Sequence, residues 1–244
     1  MSATAAERMV WQMALEIEDG AVVATGVASP LAVLAIAVAK ATHAPRLTYL
    51  SCVGSLNPQV TRLMGSSEDL SYLTGRTGEI SIAELFDHAR CGRVDNVFFG
   101  AVEVDGHGRT NLSAAGPLAK PTVKFPGVVG ACSLRRWAKR PILIVPRHGK
   151  RSLVQQVNIR STQDDSRRTR LITDAAVFSV GPGGAILEAL CGGATLADVQ
   201  ARTGFQFAVD AHLAAIGEPP AAVRTVIQAL DPDRRSAELV GAAA

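Results

Sequence analysis

Cysteine is scarce in this 244-residue chain, and Cys52, Cys91, Cys132 and Cys191 lie far apart with no paired spacing. That argues against a disulfide framework, and no set of His, Cys or acidic residues has metal-ligand spacing. The first residues lack a basic stretch followed by an apolar core, so no secretory leader is expected. Together these absences predict reduced thiols in a cytoplasmic protein. A membrane span is also missing: the long apolar run over 21–41 is broken at Pro30 and divides into a strand and a helix too short to cross hydrocarbon. Charge of one sign forms no tail. With 25 Lys and Arg against 22 Asp and Glu, the net +3 reflects local arginine excess, which does not imply nucleic acid as a partner.

What is present reads as globular, with 48% apolar and 19% charged residues and no internal repeat. A single α/β domain over 1–236 is expected, with an Ala-rich, frayed end at 237–244. Glu7 to Glu18 has helical periodicity and stops at Asp19-Gly20; Ala21 to Thr25 is a short buried strand. Pro30 opens a helix over Leu31 to Thr42, and Leu47 to Val53 is the next strand. This β, α, β order predicts an open, mostly parallel sheet flanked by helices. Ser81 to Ala89 reads as a helix, and Val97 to Val104 and Pro141 to Val145 as strands. Exposed connections are expected over 146–170. Leu171 to Val180 and Ala185 to Leu190 then form strands around a Gly181 to Gly184 turn, which lacks the Gly-Lys-Ser/Thr ending of a phosphate loop. Thr195 caps a helix with Asp198 three residues on, and a final helix runs from Pro220 to Leu230.

The most informative stretch is 88–117. Its apolar run from Val97 to Val104 enters a turn at Asp105 to Gly108 and leaves through a polar strand, an antiparallel hairpin region. His107 in that turn reads as solvated. The spacing Gly-Ala-x-x-Val-Asp-x-x-Gly-x-x-Asn, Gly100 to Asn111, resembles the signature of β-type subunits of family I coenzyme A transferases, especially the glutaconate branch. Four further segments resemble the family in the same order: Asp19 to Gly26, Phe125 to Ala131, Thr173-Asp174 before its apolar run, and Thr195 to Phe205. The resemblance implies an open α/β fold that pairs with an α-type subunit around a shared active site. It also implies coenzyme A as part of the substrate, with no tightly bound cofactor. In such transferases a glutamate attacks the acyl-CoA thioester, and the resulting anhydride passes CoA to a second acid. Backbone amides near Gly100, Asn111, Gly127 and Gly130 are the expected substrate and oxyanion contacts.

The chain departs from the pattern where the chemistry should be. Counting from Ala44-Pro45, the glutamate position falls at Cys52, and no carboxylate lies between Thr42 and Gly65. Three readings stay open: the carboxylate comes from the α-type partner, as in the actinobacterial ring-opening hydrolases this branch resembles; Glu103 substitutes for it; or Cys52 is itself a nucleophile, against the alternative of an inert buried thiol. Accordingly, CoA transfer to a carboxylic acid is the first expectation, with hydrolytic carbon-carbon cleavage of a CoA ester or a non-catalytic scaffold as alternatives. Val129 replaces a glycine of the family's segment, and a β-branched residue there is not expected to take positive φ. Arg135 and Arg136, with Lys139 and Arg140, are candidates to receive CoA phosphates, the alternative being a solvated basic surface.

Overall fold

A computed structural model describes residues 2–241. In chain order the strands are β1 Val22–Thr25, β2 Thr48–Leu50, β3 Ser55–Leu56, β4 Gly78–Glu79, β5 Asn96–Gly100, β6 Glu103–Val104, β7 Thr110–Asn111, β8 Ala114–Ala115, β9 Val123–Lys124, β10 Arg140–Val145, β11 Thr169–Thr173, β12 Ala176–Val180, β13 Ala185–Cys191 and β14 Phe207–Ile216. The helices are α1 Ala5–Leu15, α2 Pro30–Ala41, α3 Ile82–Arg90, α4 Ala131–Trp137, α5 Leu196–Arg202, α6 Ala221–Leu230 and α7 Arg235–Val240. None of the described helices is long and apolar enough to cross a membrane.

Ten strands form one sheet in the order β14-β13-β12-β11-β10-β5-β1-β2-β3-β4. β2, β1, β5, β10 and β11 run parallel, as do β13 and β14 at the far edge, while β11 to β13 and β2 to β4 turn antiparallel. The expected fold class is the observed one. Alternation along the buried strands divides the core into two layers. Val23, Tyr49, Phe98, Ile142 and Ile144 meet α1, α2, α6 and α7 on one face. Ala24, Leu50, Val97, Phe99, Leu143 and Val145 meet α3, α4 and α5 on the other.

Local signals explain three of the seven helix starts. Thr4, Ser81 and Thr195 each cap a helix in a reciprocal box with Glu7, Glu84 and Asp198. Several expectations need correction. The run expected as one strand over Val97 to Val104 is two, because the chain leaves the sheet after Gly100 and restarts at Glu103 as the separate β6–β7 hairpin. Leu171 to Val180 is likewise two strands, reversed at Asp174-Ala175, where the Thr173 hydroxyl accepts from the amides of Ala175 and Ala176. The Gly181 to Gly184 turn does join an antiparallel pair. β14 was not expected at all, and the segment expected to be frayed is helical over its first residues: α7 carries the buried Val240 into the core, while 242–244 lie outside the described residues.

His148 is 3% exposed and sits between the hydroxyls of Thr173, 2.9 Å from Nδ1, and Thr203, 3.0 Å from Nε2. Burial first, and the nearby Arg202 charge second, lower its pKa from 6.5 to about 4. The unfolded chain then binds a proton that the folded ring resists, so this contribution to stability is complete above about pH 6.5 and is lost as pH falls toward about 4. Urea unfolding is expected to show up to about 3 kcal/mol less stability at pH 4 than at pH 7 from this site. His148→Gln should flatten that part of the profile; an unchanged slope would show that the acid sensitivity lies elsewhere.

Candidate active site

The order of strands reverses at β1, with β2 on one side and β5 on the other, all parallel. Such a switch point leaves a crevice beyond the carboxyl ends of the strands. Here it is a cleft of about 300 Å³, bounded by the β1–α2 loop, by Ser51 and Cys52 after β2, by Gly100 at the end of β5, and by the Pro126 to Gly130 loop with the start of α4. Its wall is apolar, with Phe86, Phe99 and Leu134 among the lining side chains. Gly100, Gly127, Gly130 and Cys52, expected at the site from sequence, are brought together there.

The glycine segment is not a plain packed turn. Its entry is pinned by the Gly127 amide donating to the Leu112 carbonyl at 2.8 Å, and its exit by the Ala131 amide donating to the Val128 carbonyl, also at 2.8 Å. Val129, between these anchors, takes φ +44, the left-handed conformation its branched side chain disfavours. The expectation from sequence is thus overturned: the anchors on both sides impose the conformation that the residue type resists. Ala28 on the opposite lip is also left-handed, at φ +53. Two strained residues on one cleft fit the clustering of strain at functional sites. Gly130 packs tightly under the Phe86 ring: a Cβ there would lie 2.2 Å from Phe86 Cζ, so the ring would have to move.

Cys52 is, among the described residues lining the cleft, the sole side chain that ionises near or above neutral pH. Burial pushes its thiol up from 9.0, so it stays protonated at neutral pH. Its sulfur donates to the Ser67 carbonyl at 3.4 Å. The Ser67 hydroxyl in turn accepts from the Ser29 amide at 3.0 Å and donates to the Gly26 carbonyl at 3.3 Å. Ser67 and Thr25 escaped the sequence reading. Serine and threonine are too common to signal a role, and Ser67 lies 15 residues beyond Cys52 in irregular chain.

Other expected site residues serve the scaffold. Glu103 does not line the cleft; its carboxylate accepts from Asn111 Nδ2 at 2.9 Å and from the Asn158 amide at 3.0 Å. Asn111 is fully buried, and its amide group is occupied by Glu103, the Ala114 carbonyl and the amides of Ser113 and Ala114. Arg135 is only 2% exposed, bonding Thr162 and Thr169 at 2.9 and 3.2 Å, with burial lowering its pKa to about 10. It ties α4 to β11 and cannot meet a phosphate in solution, because α4 turns this face inward. Arg136, on the outer face, remains exposed. His107 is exposed as expected. No group of three His, Cys, Asp or Glu among the described residues is placed to hold a metal ion.

Two substitutions check these roles. Val129 is 72% exposed, so Val129→Gly loses little packing while relieving the left-handed strain, and should raise stability by about 1 kcal/mol in denaturant unfolding. Glu103→Gln should cost about 1 kcal/mol through weaker bonds to Asn111 and Asn158, while leaving the alkylation rate of Cys52 unchanged. A changed rate would place Glu103 in the cleft's electrostatics.

Comparison with known proteins agrees with this architecture. The chain is 55% identical to one chain of the decarboxylase AibA/AibB, with a TM-score of 0.94 over 98% of this chain and 99% of that one. The same decarboxylase has been solved with one cysteine replaced in turn by asparagine, valine, alanine or serine. The chain is 28% identical to the B-type polypeptide of the 3-oxoadipate CoA-transferase of Pseudomonas knackmussii, over 62% of its own length and 57% of that relative. It shares the fold of glutaconate coenzyme A-transferase from Acidaminococcus fermentans, at 19% identity and a TM-score of 0.83. Residues 6–200 match the coenzyme A transferase family model, and the chain belongs to that family.

Proposed function

We propose that this chain is the β-type subunit of a heteromeric enzyme that decarboxylates a CoA-bound carboxylic acid, with an α-type subunit completing the cleft. The observation that carries this reading is the composition of the cleft wall: Cys52 is there, and none of the described lining residues is a carboxylate. CoA transfer through an acyl-enzyme anhydride needs a carboxylate nucleophile, which the described lining of this cleft does not offer. Decarboxylation needs none, because the substrate brings its own. The 55% identity to the decarboxylase AibA/AibB over nearly the whole chain supports the same choice.

The chemistry follows from the wall. An apolar, low-dielectric cleft raises the free energy of a substrate carboxylate more than that of the charge-delocalised transition state leading to neutral CO2. The carbon–carbon bond pair moves toward the thioester carbonyl, so the lost carboxylate must stand β to that carbonyl or at its vinylogous position. The oxygen that becomes negative needs N–H donors, and the amides of Val128 to Gly130 in the pinned loop are the candidate source. Cys52, held neutral by burial, then gives its proton to the carbon that lost CO2. Exposed Arg136 remains available to a CoA phosphate. Ile82 and Val129, 64% and 72% exposed at the cleft, are apolar surface suited to cover by an α-type partner.

Reconstitution with the α-type subunit and a panel of CoA esters bearing such carboxylates tests this reading. CO2 release without any acceptor acid is expected, and Cys52→Ser should reduce its rate about 100-fold or more. Exchange of CoA that requires a carboxylic acid acceptor would restore the transferase reading. Free CoA without CO2 would indicate hydrolysis, and turnover indifferent to Cys52→Ser would leave this chain as a non-catalytic wall.

A further inference from the structure

Exposed apolar side chains gather on one side of the molecule. Ile82, Val102 and Val129 line the cleft, and Leu118 and Val123 stand on the β8–β9 hairpin that grows from its lip. Leu112, where the chain enters that hairpin, and Pro126, where it leaves, both line the cleft. The hairpin forms a two-stranded sheet of its own, separate from the ten-stranded one. Leu118 and Val123 are 68% and 52% exposed and belong to neither layer of the core.

The hairpin is nevertheless firmly built. The Thr122 amide donates to the Ala115 carbonyl at 2.9 Å, and the Phe125 amide to the Ser113 carbonyl at 3.0 Å. At the base the Leu112 amide donates to Ser161 Oγ at 2.9 Å, and Asn158 Nδ2 donates to the Gly116 carbonyl at 3.1 Å. Pro117 and Pro121 restrict the tip. A two-stranded hairpin is marginal in water by itself, and an ordered one that holds apolar side chains out to solvent is shaped for a partner at low ordering cost. Charge indicates the kind of partner. Lys120 and Lys124 are exposed on the hairpin, and no Asp or Glu stands between Asp105 and Asp164, a span that includes the hairpin and the loop before α4. Two such hairpins would repel one another face to face, which disfavours a second copy of this chain.

We propose that the β8–β9 hairpin is the arm by which this chain grips its partner, an α-type subunit presenting an apolar recess edged by carboxylates. The identity of that occupant rests on the heteromeric reading. Position favours it: a subunit that completes the cleft has to lie against Ile82 and Val129, and the hairpin extends the apolar surface from the same lip. The grip also acts on the cleft. Both hairpin strands run into the bond between the Gly127 amide and the Leu112 carbonyl that pins the loop, so a seated arm fixes the amides of Val128 to Gly130 as well.

The test measures association instead of turnover, with the full chain titrated against the α-type subunit by biolayer interferometry. Leu118→Asp and Val123→Asp should each weaken the complex about 30-fold. Leu15→Asp, at a site 48% exposed on α1, should leave it unchanged. Lys120→Glu combined with Lys124→Glu should slow association about tenfold at low salt and flatten its dependence on ionic strength. Hydrogen exchange of the unaltered chain should show new protection over 116–124 when the α-type subunit is added, a readout that needs no variant to fold. Undiminished affinity in both Asp variants, an equal loss in Leu15→Asp, an unaltered salt dependence in the lysine variant, or no protection over 116–124 overturns the proposal and leaves the heteromeric reading intact. Self-association of the chain that is lost in Leu118→Asp and Val123→Asp would make the occupant a second copy and overturn it too. Failure of the unaltered pair to associate sinks the heteromeric reading itself, and the proposal with it.

Discussion

β1 is hydrogen-bonded in parallel to β2 on one side and to β5 on the other, and this central pairing governs the rest of the molecule. Chain leaving β1 climbs into α2 on one face of the sheet, whereas chain leaving β5 passes through the hairpins into α4 on the opposite face. Between the diverging connections nothing in the described residues closes the edge of the sheet. Cys52, Gly100 and the loop before α4 meet there because strand direction and strand order put them there. The cleft is thus a consequence of topology before it is a consequence of side-chain chemistry.

Charge is distributed in keeping with that division. The acidic and basic groups nearest the hairpin and α4 are turned to structural use: Glu103 braces Asn111 and the Asn158 amide, and buried Arg135 joins α4 to β11. The described lining of the cleft carries a thiol and hydroxyls instead, in an apolar wall that keeps the thiol protonated. A charged nucleophile would be costly in such surroundings, whereas a neutral proton donor is stabilised by them. Local strain is placed on the same cleft, where Ala28 and Val129 are held left-handed by hydrogen bonds on their flanks. Strain of this kind persists only where neighbours over-determine the backbone.

Much of the fold was legible in the residues. Capping boxes at Thr4 and Thr195, Pro30 at the start of α2 and the continuous apolar run of β10 mark elements whose local chemistry agrees with their place in the sheet. β14 was not legible, because Phe207 to Ile216 is rich in alanine with Asp210 and His212 at its centre, and its pairing with β13 is irregular beside Glu188. The break after Gly100 was hidden for the opposite reason: Ala101 and Val102 continue a strand-like pattern although the chain leaves the sheet there.

The sequence by itself determined the parallel α/β class, the resemblance to the coenzyme A transferases and the displacement of the expected glutamate by Cys52, because each is written in spacing and residue type along the chain. Tertiary structure decided what those residues are for. Glu103 and Arg135 read alike as candidates until burial and hydrogen bonding assigned them to the scaffold. Thr25 met Tyr49, and Ser67 met Cys52, only when β1, β2 and the chain beyond them were brought side by side. Direction of a hydrogen bond and exclusion of water are properties of atoms in contact, and residues far apart in sequence acquire them only by folding.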